Sequence, residues 1–78
     1  MDADRCIPID RDGDVVTARQ AGRSLAAQLG FSGSEATLIA TAISEVARNI
    51  LVHAGRGEIV LSSAQRGPHP LVTLFLKG

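Results

Sequence analysis

A carboxylate and a carboxamide lie four residues apart in the middle of the chain, at Glu45 and Asn49. In a helix, which turns by about 100° per residue, these two side chains share one stripe. The opposite side of the predicted helix is apolar, because aliphatic residues recur there at helical spacing: Ile39, Ile43, Val46 and Ile50, widened by Ala36, Ala40 and Ala47. Glu45 and Asn49 are therefore expected to face a cleft or solvent.

This pair of side chains suits chemistry beside a nucleotide. A carboxylate can accept the proton of an attacking hydroxyl or water, and an amide oxygen is a hard ligand for Mg²⁺ that arrives with phosphates. The alternative is that both are ordinary solvated helix residues, because Glu and Asn at this spacing are common. The spacing by itself does not decide between the two interpretations.

The pair belongs to a longer stretch, residues 41–59, which reads TAISEVARNILVHAGRGEI. This stretch resembles the asparagine box of the GHKL ATPases, and specifically their RsbT-type serine/threonine kinase branch, which regulates bacterial stress signalling. Residues 17–23 and 28–31 are similar to the same branch. The resemblance thus covers nearly all of the 78 residues.

The resemblance implies a function and a set of site residues. It implies a serine/threonine protein kinase of the anti-sigma regulatory factor type, which uses ATP and Mg²⁺ to phosphorylate a STAS-domain regulator and thereby controls a sigma factor or a phosphatase. By the same resemblance, Glu45 matches the general base and Asn49 the magnesium ligand. Arg56 stands where related kinases carry a basic residue near the phosphates. The implied architecture is the Bergerat-type ATP fold, with this helix over a mixed sheet.

The chain departs from the family in the motifs for adenine and the phosphate lid. Related kinases use an Asp-x-Gly-x-Gly box and a glycine-rich lid, and neither occurs in the 78 residues. The expectation is a single partial domain over residues 1–78 that resembles the N-terminal part of the kinase and binds ATP weakly. The alternative function is a noncatalytic, truncated protein-interaction fragment of the same family.

Composition narrows the remaining classes of function. Eight basic residues balance eight acidic ones, and the only aromatic residues are two Phe, so neither an electrostatic field nor a stacking platform for nucleic acid is present. Cys6 is alone, which excludes an internal disulfide and the common zinc spacings; it is interpreted as a structural apolar residue. No apolar run approaches the ~20 residues of a membrane span and no leader is visible, so a cytoplasmic protein is expected.

Turn and cap signals predict the elements that position the site. A strand at residues 5–10 should lie at a sheet edge because it contains Pro8. A helix over residues 15–29, capped by Asp12 or Asp14, should approach a neighbour closely at Gly22. Gly30 should end this helix, with Phe31 folding back onto it.

The second half of the chain predicts the central helix and a strand pair. Ser32 and Glu35 have capping-box spacing, so the central helix should run from there to about residue 53. Strands are predicted at residues 58–63 and 71–76, antiparallel and joined by a loop over residues 65–70. The fold class is α+β, a two-layer sandwich of two helices on a small mixed sheet. Its open edge predicts weak stability or self-association.

Overall fold

The structure, a computed structural model, describes residues 3–77. It consists of β1 (Ala3–Ile9), α1 (Asp12–Gln28), α2 (Gly33–His53), β2 (Gly57–Arg66) and β3 (His69–Lys77). Both helices pack on one face of the sheet, around a shared aliphatic core. The predicted α+β class, with two helices on a small sheet, is confirmed.

The sheet has three strands in the order β1-β2-β3, and both neighbouring pairs are antiparallel. The prediction of a mixed sheet is therefore wrong for the strands described. The chain passes through two helices between β1 and β2 and reverses its direction at each of the three connections. β2 therefore runs antiparallel to β1. The connection between β2 and β3 is too short for a parallel crossover.

The hairpin that joins β2 and β3 is tighter than predicted. Arg66 pairs with His69, so the connection is only Gly67-Pro68 and the prediction of a loop over residues 65–70 is wrong. Gly67 has a φ of 58°, and proline fixes φ near −65° at the next position. A glycine with positive φ followed by a residue with negative φ is the order of a type II′ turn, whose twist matches that of two antiparallel strands. His69 thus begins a strand instead of lying in a loop.

The beginning of α1 is organised by Asp14, but in a different role from the one predicted. The N-cap residue is Arg11, and Asp12 and Asp14 both lie inside the first turn. The Asp14 carboxylate accepts hydrogen bonds from the backbone N–H groups of Asp10, at 2.8 Å, and Arg11, at 3.1 Å. These bonds to the charged form hold the pKa of Asp14 below its usual value, and the Asp10 bond contributes most.

Gly30 ends α1, as predicted. Gly30 has a φ of 89°, and its N–H donates to the carbonyl of Ala27. The N–H of Phe31 donates back to the carbonyl of Ala26 at 3.1 Å. This pair of bonds is the Schellman motif, which satisfies the last carbonyls of the helix and turns the chain toward α2.

The core lies between the helices and the inner face of the sheet. Ile9, Ile59 and Leu61 are its largest fully buried side chains. Because side chains alternate along a strand, Cys6 projects from the outer face, where its Sγ donates to Glu58 Oε2 at 3.2 Å. The interpretation of Cys6 as an apolar structural residue is therefore wrong, since it is exposed and bonded to a carboxylate. Among residues 3–77, no helix has the length and apolar character that crossing a bilayer requires.

Candidate active site

The candidate site is built on α2, whose first turn is held by the predicted capping box. The N–H of Ser32 donates to Glu35 Oε1 at 2.8 Å, and the N–H of Glu35 donates to Ser32 Oγ at 3.1 Å. The Ser32 backbone and hydroxyl together hold the pKa of Glu35 below its usual value. Two backbone donors that the helix itself cannot satisfy are thus paired, which fixes where α2 begins.

Close packing against α1 fixes the position of α2 in the fold. Gly22 of α1 is buried, and a Cβ at that position would overlap the Cδ1 atom of Ile43 on α2. Ala40 and Ala47 are also fully buried in α2. Small residues on both helices therefore allow the backbones to approach closely. The predicted close approach at Gly22 is confirmed, and it is α2 that makes it.

Glu45 and Asn49 lie on the exposed side of α2, as predicted. Ser44, next to Glu45, is buried, and its hydroxyl donates to the carbonyl of Ala40 at 3.0 Å. Neither Glu45 nor Asn49 has a side-chain hydrogen-bond partner among the described residues. A rigid, well-packed helix thus presents a carboxylate and a carboxamide, one turn apart, with their oxygens available to a ligand.

Arg56 lies outside this stripe, in the turn that follows α2. Its side chain is exposed, between Gly55 and the first residue of β2, Gly57. No hydrogen bond or ion pair joins Arg56 to Glu45 or Asn49 in the part of the chain described. The structure thus places the carboxylate and the carboxamide on one helix face, and Arg56 follows in the turn after the same helix.

An apolar groove of about 370 Å³ runs beside this helix face, between α2 and β3. Ala42 and Val46, two of its lining residues, lie next to Asn49 around the helix. The other walls come from α2, from β3 and from the segment between the helices: Phe31, Ile39, Ile43, Pro70, Leu71, Val72 and Leu74. Sequence reasoning missed this groove, because the half-buried Ile39 and Val46 were interpreted as ordinary core.

The exposed stripe also carries two apolar side chains that flank the polar pair. Leu38 is 70% exposed and Val52 is 75% exposed, and both lie near the angular position of Glu45 on the helix. The order along the helix is therefore apolar, acidic, amide and apolar. These two residues are 14 positions apart, about 21 Å along the helix, so they are single exposed apolar side chains and not one contiguous patch.

The chain is similar in sequence to a known protein kinase. Over 68 residues, 86% of the chain, the sequence is 46% identical to the serine/threonine-protein kinase RsbT of Bacillus subtilis (strain 168). The predicted resemblance to RsbT is confirmed. The chain spans about half, 51%, of the length of RsbT. No protein-family model matches the chain, and no match was found among the solved structures.

The similarity to RsbT includes the candidate site. A match whose span covers 86% of the 78 residues contains all of α2 wherever it begins. Glu45 and Asn49 therefore belong to the stretch that is similar to RsbT. The structure adds that both side chains are exposed and that an apolar groove lies beside them.

The side chains of this helix face fit a magnesium ion that is carried by phosphates. Mg²⁺ takes oxygen ligands, keeps several waters, and is usually held by one or two protein groups together with substrate phosphates. Asn49 offers an exposed amide oxygen of this kind. No group of three or more His, Cys, Asp or Glu side chains within the described ranges could hold a metal ion. A magnesium ion at this helix face would therefore take most of its ligands from phosphates and water.

Proposed function

We propose that this chain carries the catalytic-base and magnesium side of an RsbT-type protein kinase site. The reaction would transfer a phosphoryl group from Mg·ATP to a serine or threonine of a STAS-domain regulator. The elements β1 to β3 would then correspond to the front part of a Bergerat-type fold. The observation that carries this proposal is a single helix, similar to RsbT, that presents Glu45 and Asn49 without partners on its exposed face.

The two side chains divide the work of the proposed site. The Glu45 carboxylate accepts the proton of the attacking hydroxyl. The amide oxygen of Asn49 would be one ligand of Mg²⁺, and the metal would supply positive charge against the phosphates. The Arg56 guanidinium, at the end of the same helix, contributes positive charge toward the phosphates. Adenine recognition requires groups other than these three, so we expect the 78-residue chain to bind Mg·ATP weakly.

The first test replaces the proposed base. Glu45→Gln keeps the shape and the hydrogen-bonding capacity of the side chain but removes the proton acceptor. Phosphoryl transfer to a STAS domain, measured in single turnover at millimolar ATP, should fall by about 10²- to 10⁴-fold. Asp12→Asn is the matched control, because it removes an exposed helical carboxylate from α1. Near-normal transfer by the Glu45→Gln protein would show that Glu45 is not the base.

The second test replaces the proposed magnesium ligand. Asn49→Ala should weaken Mg²⁺-dependent nucleotide binding and lower turnover together, whereas Glu45→Gln should leave nucleotide binding intact. Gln20→Ala removes an exposed carboxamide from α1 and serves as the control. Titration calorimetry with ATP, with and without Mg²⁺, measures the difference. An affinity that is equal for Asn49→Ala and the unaltered chain would contradict the assignment.

The exposed apolar residues favour a second candidate, a noncatalytic protein-interaction module. Leu38 and Val52 flank Glu45 and Asn49 and could dock a STAS-domain protein without any phosphoryl transfer. Under this candidate, Leu38→Ala and Val52→Ala weaken the complex while Glu45→Gln leaves it intact. A chain that binds the STAS domain but transfers no phosphate in the single-turnover assay would favour the module over the kinase.

A further inference from the structure

The proposed reaction gives the exposed stripe of α2 a direction. In phosphoryl transfer, the attacking oxygen and the leaving oxygen lie roughly in line on opposite sides of the phosphorus atom. Asn49 would be a ligand of the magnesium ion between the β- and γ-phosphates, on the leaving side, and Glu45 would accept the proton of the attacking hydroxyl. The line from the leaving oxygen to the attacking oxygen therefore runs from Asn49 toward Glu45, which is toward the N-terminal end of α2.

The acceptor protein has to continue beyond its attacking hydroxyl in that same direction. An α-helix rises 1.5 Å per residue, so Thr41 lies about 6 Å and Leu38 about 10 Å from Glu45 along the helix axis. Around the axis, both stay within about 40° of Glu45. Both side chains are exposed. They are thus the first groups that an acceptor protein would meet beyond the base.

We propose that the phosphoryl acceptor binds on the N-terminal side of Glu45, at Leu38 and Thr41, and that the nucleotide phosphates bind on the C-terminal side, at Asn49. This inference rests on the proposed kinase function and adds to it the place where the acceptor protein is held. Leu38 is then a residue that determines which acceptor is bound. Val52, on the far side of Asn49, takes no part in binding the acceptor.

Leu38 and Val52 form a matched pair for testing this direction. Both are aliphatic, and they are 70% and 75% exposed. Each lies seven residues from Glu45, one before it and one after it, and each is about 20° from it around the axis. Exposure and apolar character therefore do not distinguish the two side chains. The direction of the reaction does.

A recess beside Leu38 provides room for acceptor side chains on this side of Glu45. Its volume is about 530 Å³, and it is lined by Arg23 of α1 and by Gly33, Ser34, Thr37 and Leu38 of α2. The recess lies between α2 and α1, whereas the apolar groove described above lies between α2 and β3. The proposed acceptor surface is therefore built from the two helices.

The polar groups on this side define the chemistry of the acceptor. The Thr41 hydroxyl donates to the carbonyl of Thr37 at 2.9 Å, so its oxygen is left as an acceptor for a further hydrogen bond. The Arg23 guanidinium is exposed, has no partner among the described residues, and can donate to a carboxylate. The surface thus fits an acceptor that offers an aliphatic side chain to Leu38 and a carboxylate to Arg23.

The first experiment separates acceptor binding from turnover. Phosphoryl transfer at millimolar ATP is measured in single turnover over a series of STAS-domain concentrations. Leu38→Ala should raise the STAS-domain concentration that gives the half-maximal rate by about 5- to 30-fold and leave the maximal rate nearly unchanged. Val52→Ala should change that concentration by less than about 2-fold. Equal effects of the two substitutions would overturn the proposed direction.

The second experiment requires no transfer. The chain is labelled with nitrogen-15, and its backbone amide shifts are followed while an unlabelled STAS domain is added to about 1 mM. The amides of residues 34–41 should shift, and those of residues 49–53 should not. A separate titration with Mg·ATP should leave residues 34–41 in place. No shift of residues 34–41 with the STAS domain, or a shift of them with Mg·ATP alone, would contradict the proposal.

A third variant tests the charge at the recess. Arg23→Gln should weaken STAS-domain binding at low salt, and the difference from the unaltered chain should shrink at about 0.5 M salt, because salt screens an exposed charge pair. Arg5→Gln, which removes an exposed guanidinium from β1, is the control and should bind as the unaltered chain does. Unaltered affinity of the Arg23→Gln chain would contradict the carboxylate contact.

Failure of this inference is distinguishable from failure of the proposed function. Glu45→Gln should leave the amide shifts of residues 34–41 with the STAS domain unchanged, because it alters the base and not the acceptor surface. Near-normal transfer by Glu45→Gln would refute the base. Loss of transfer in Glu45→Gln together with equal effects of Leu38→Ala and Val52→Ala would refute only the direction of the stripe.

Discussion

The contact between Gly22 and Ile43 gives a stability test whose sign depends on one methyl group. Gly22→Ala adds a Cβ that overlaps Ile43 Cδ1, an atom at the end of a buried side chain. The other near atoms of Ile43, Cγ1 and Cβ, would lie at 3.5 and 3.9 Å, which is ordinary van der Waals contact. The conflict therefore concerns Cδ1 alone, and Ile43→Val removes that atom.

The expected magnitudes follow from two opposed effects. Alanine is better than glycine in a helix interior by about 1 kcal/mol. Overpacking a core costs typically about 1–3 kcal/mol. Gly22→Ala alone should therefore lower the free energy of unfolding by about 0–2 kcal/mol. Ile43→Val alone should cost about 0.5–1.5 kcal/mol. In the Ile43→Val background, Gly22→Ala should instead stabilise by up to about 1 kcal/mol, because only the helix effect remains.

Urea unfolding followed by far-ultraviolet circular dichroism measures all four proteins of this cycle. The chain has no Trp or Tyr, so helix content is the practical signal. All samples should be compared at one low concentration, because association would add to the apparent stability. Gly13→Ala is the control, since a Cβ at Gly13 meets nothing within 4 Å and should act equally in both backgrounds. Stabilisation by Gly22→Ala with Ile43 intact, or a coupling near zero, would refute the close approach of α1 and α2.

Three further outcomes are expected. Ser32→Ala removes the cap of α2 and should lower the free energy of unfolding by about 0.5–2 kcal/mol in urea, whereas an unchanged midpoint would argue against the cap. The lowered pKa values of Asp14 and Glu35 mean that their contribution to stability is present above the ordinary values of 3.8 and 4.5 and is lost as pH falls below them. The melting temperature, measured at a series of pH values, should therefore fall as pH is lowered through and below this range. It should fall less steeply for the Glu35→Gln protein. Glu45→Gln should leave the urea midpoint unchanged, because its exposed side chain has no partner; a clear shift would show a structural role.

Local signals in the sequence predicted most element boundaries. The capping box at Ser32 and Glu35, the glycine at the end of α1 and the exposed face of α2 all depend on residues within a few positions of each other. Two errors arose at contacts that are equally local but that residue type and spacing did not select. The loop over residues 65–70 became strand because Arg66 pairs with His69 across the turn. The cap of α1 moved to Arg11 because the Asp14 carboxylate reaches back to two N–H groups.

The sequence also indicated part of the proposed site, and the packed structure added the rest. Spacing and the resemblance to the RsbT-type kinases selected Glu45 and Asn49 as candidates, and the helical period placed them on an exposed stripe. The roles of Glu45, Asn49 and Arg56 stay predictions until the variants are measured. The groove beside the stripe could not be predicted, because it depends on how far Val46 and Leu74 lie apart after α2 and β3 have packed.

The sequence by itself determined the two helices, the end of α1, both ends of α2 and the face of α2 that carries the polar pair, because these depend on short-range periodicity and on local hydrogen bonds. The tertiary structure alone decided that β1 pairs antiparallel with β2, that Ile43 of α2 is the neighbour which excludes a Cβ at Gly22, and that a groove lies between α2 and β3. These features depend on contacts between residues that are far apart in the chain. Such contacts form only when the two helices and three strands pack together, and no local pattern of residues encodes their geometry.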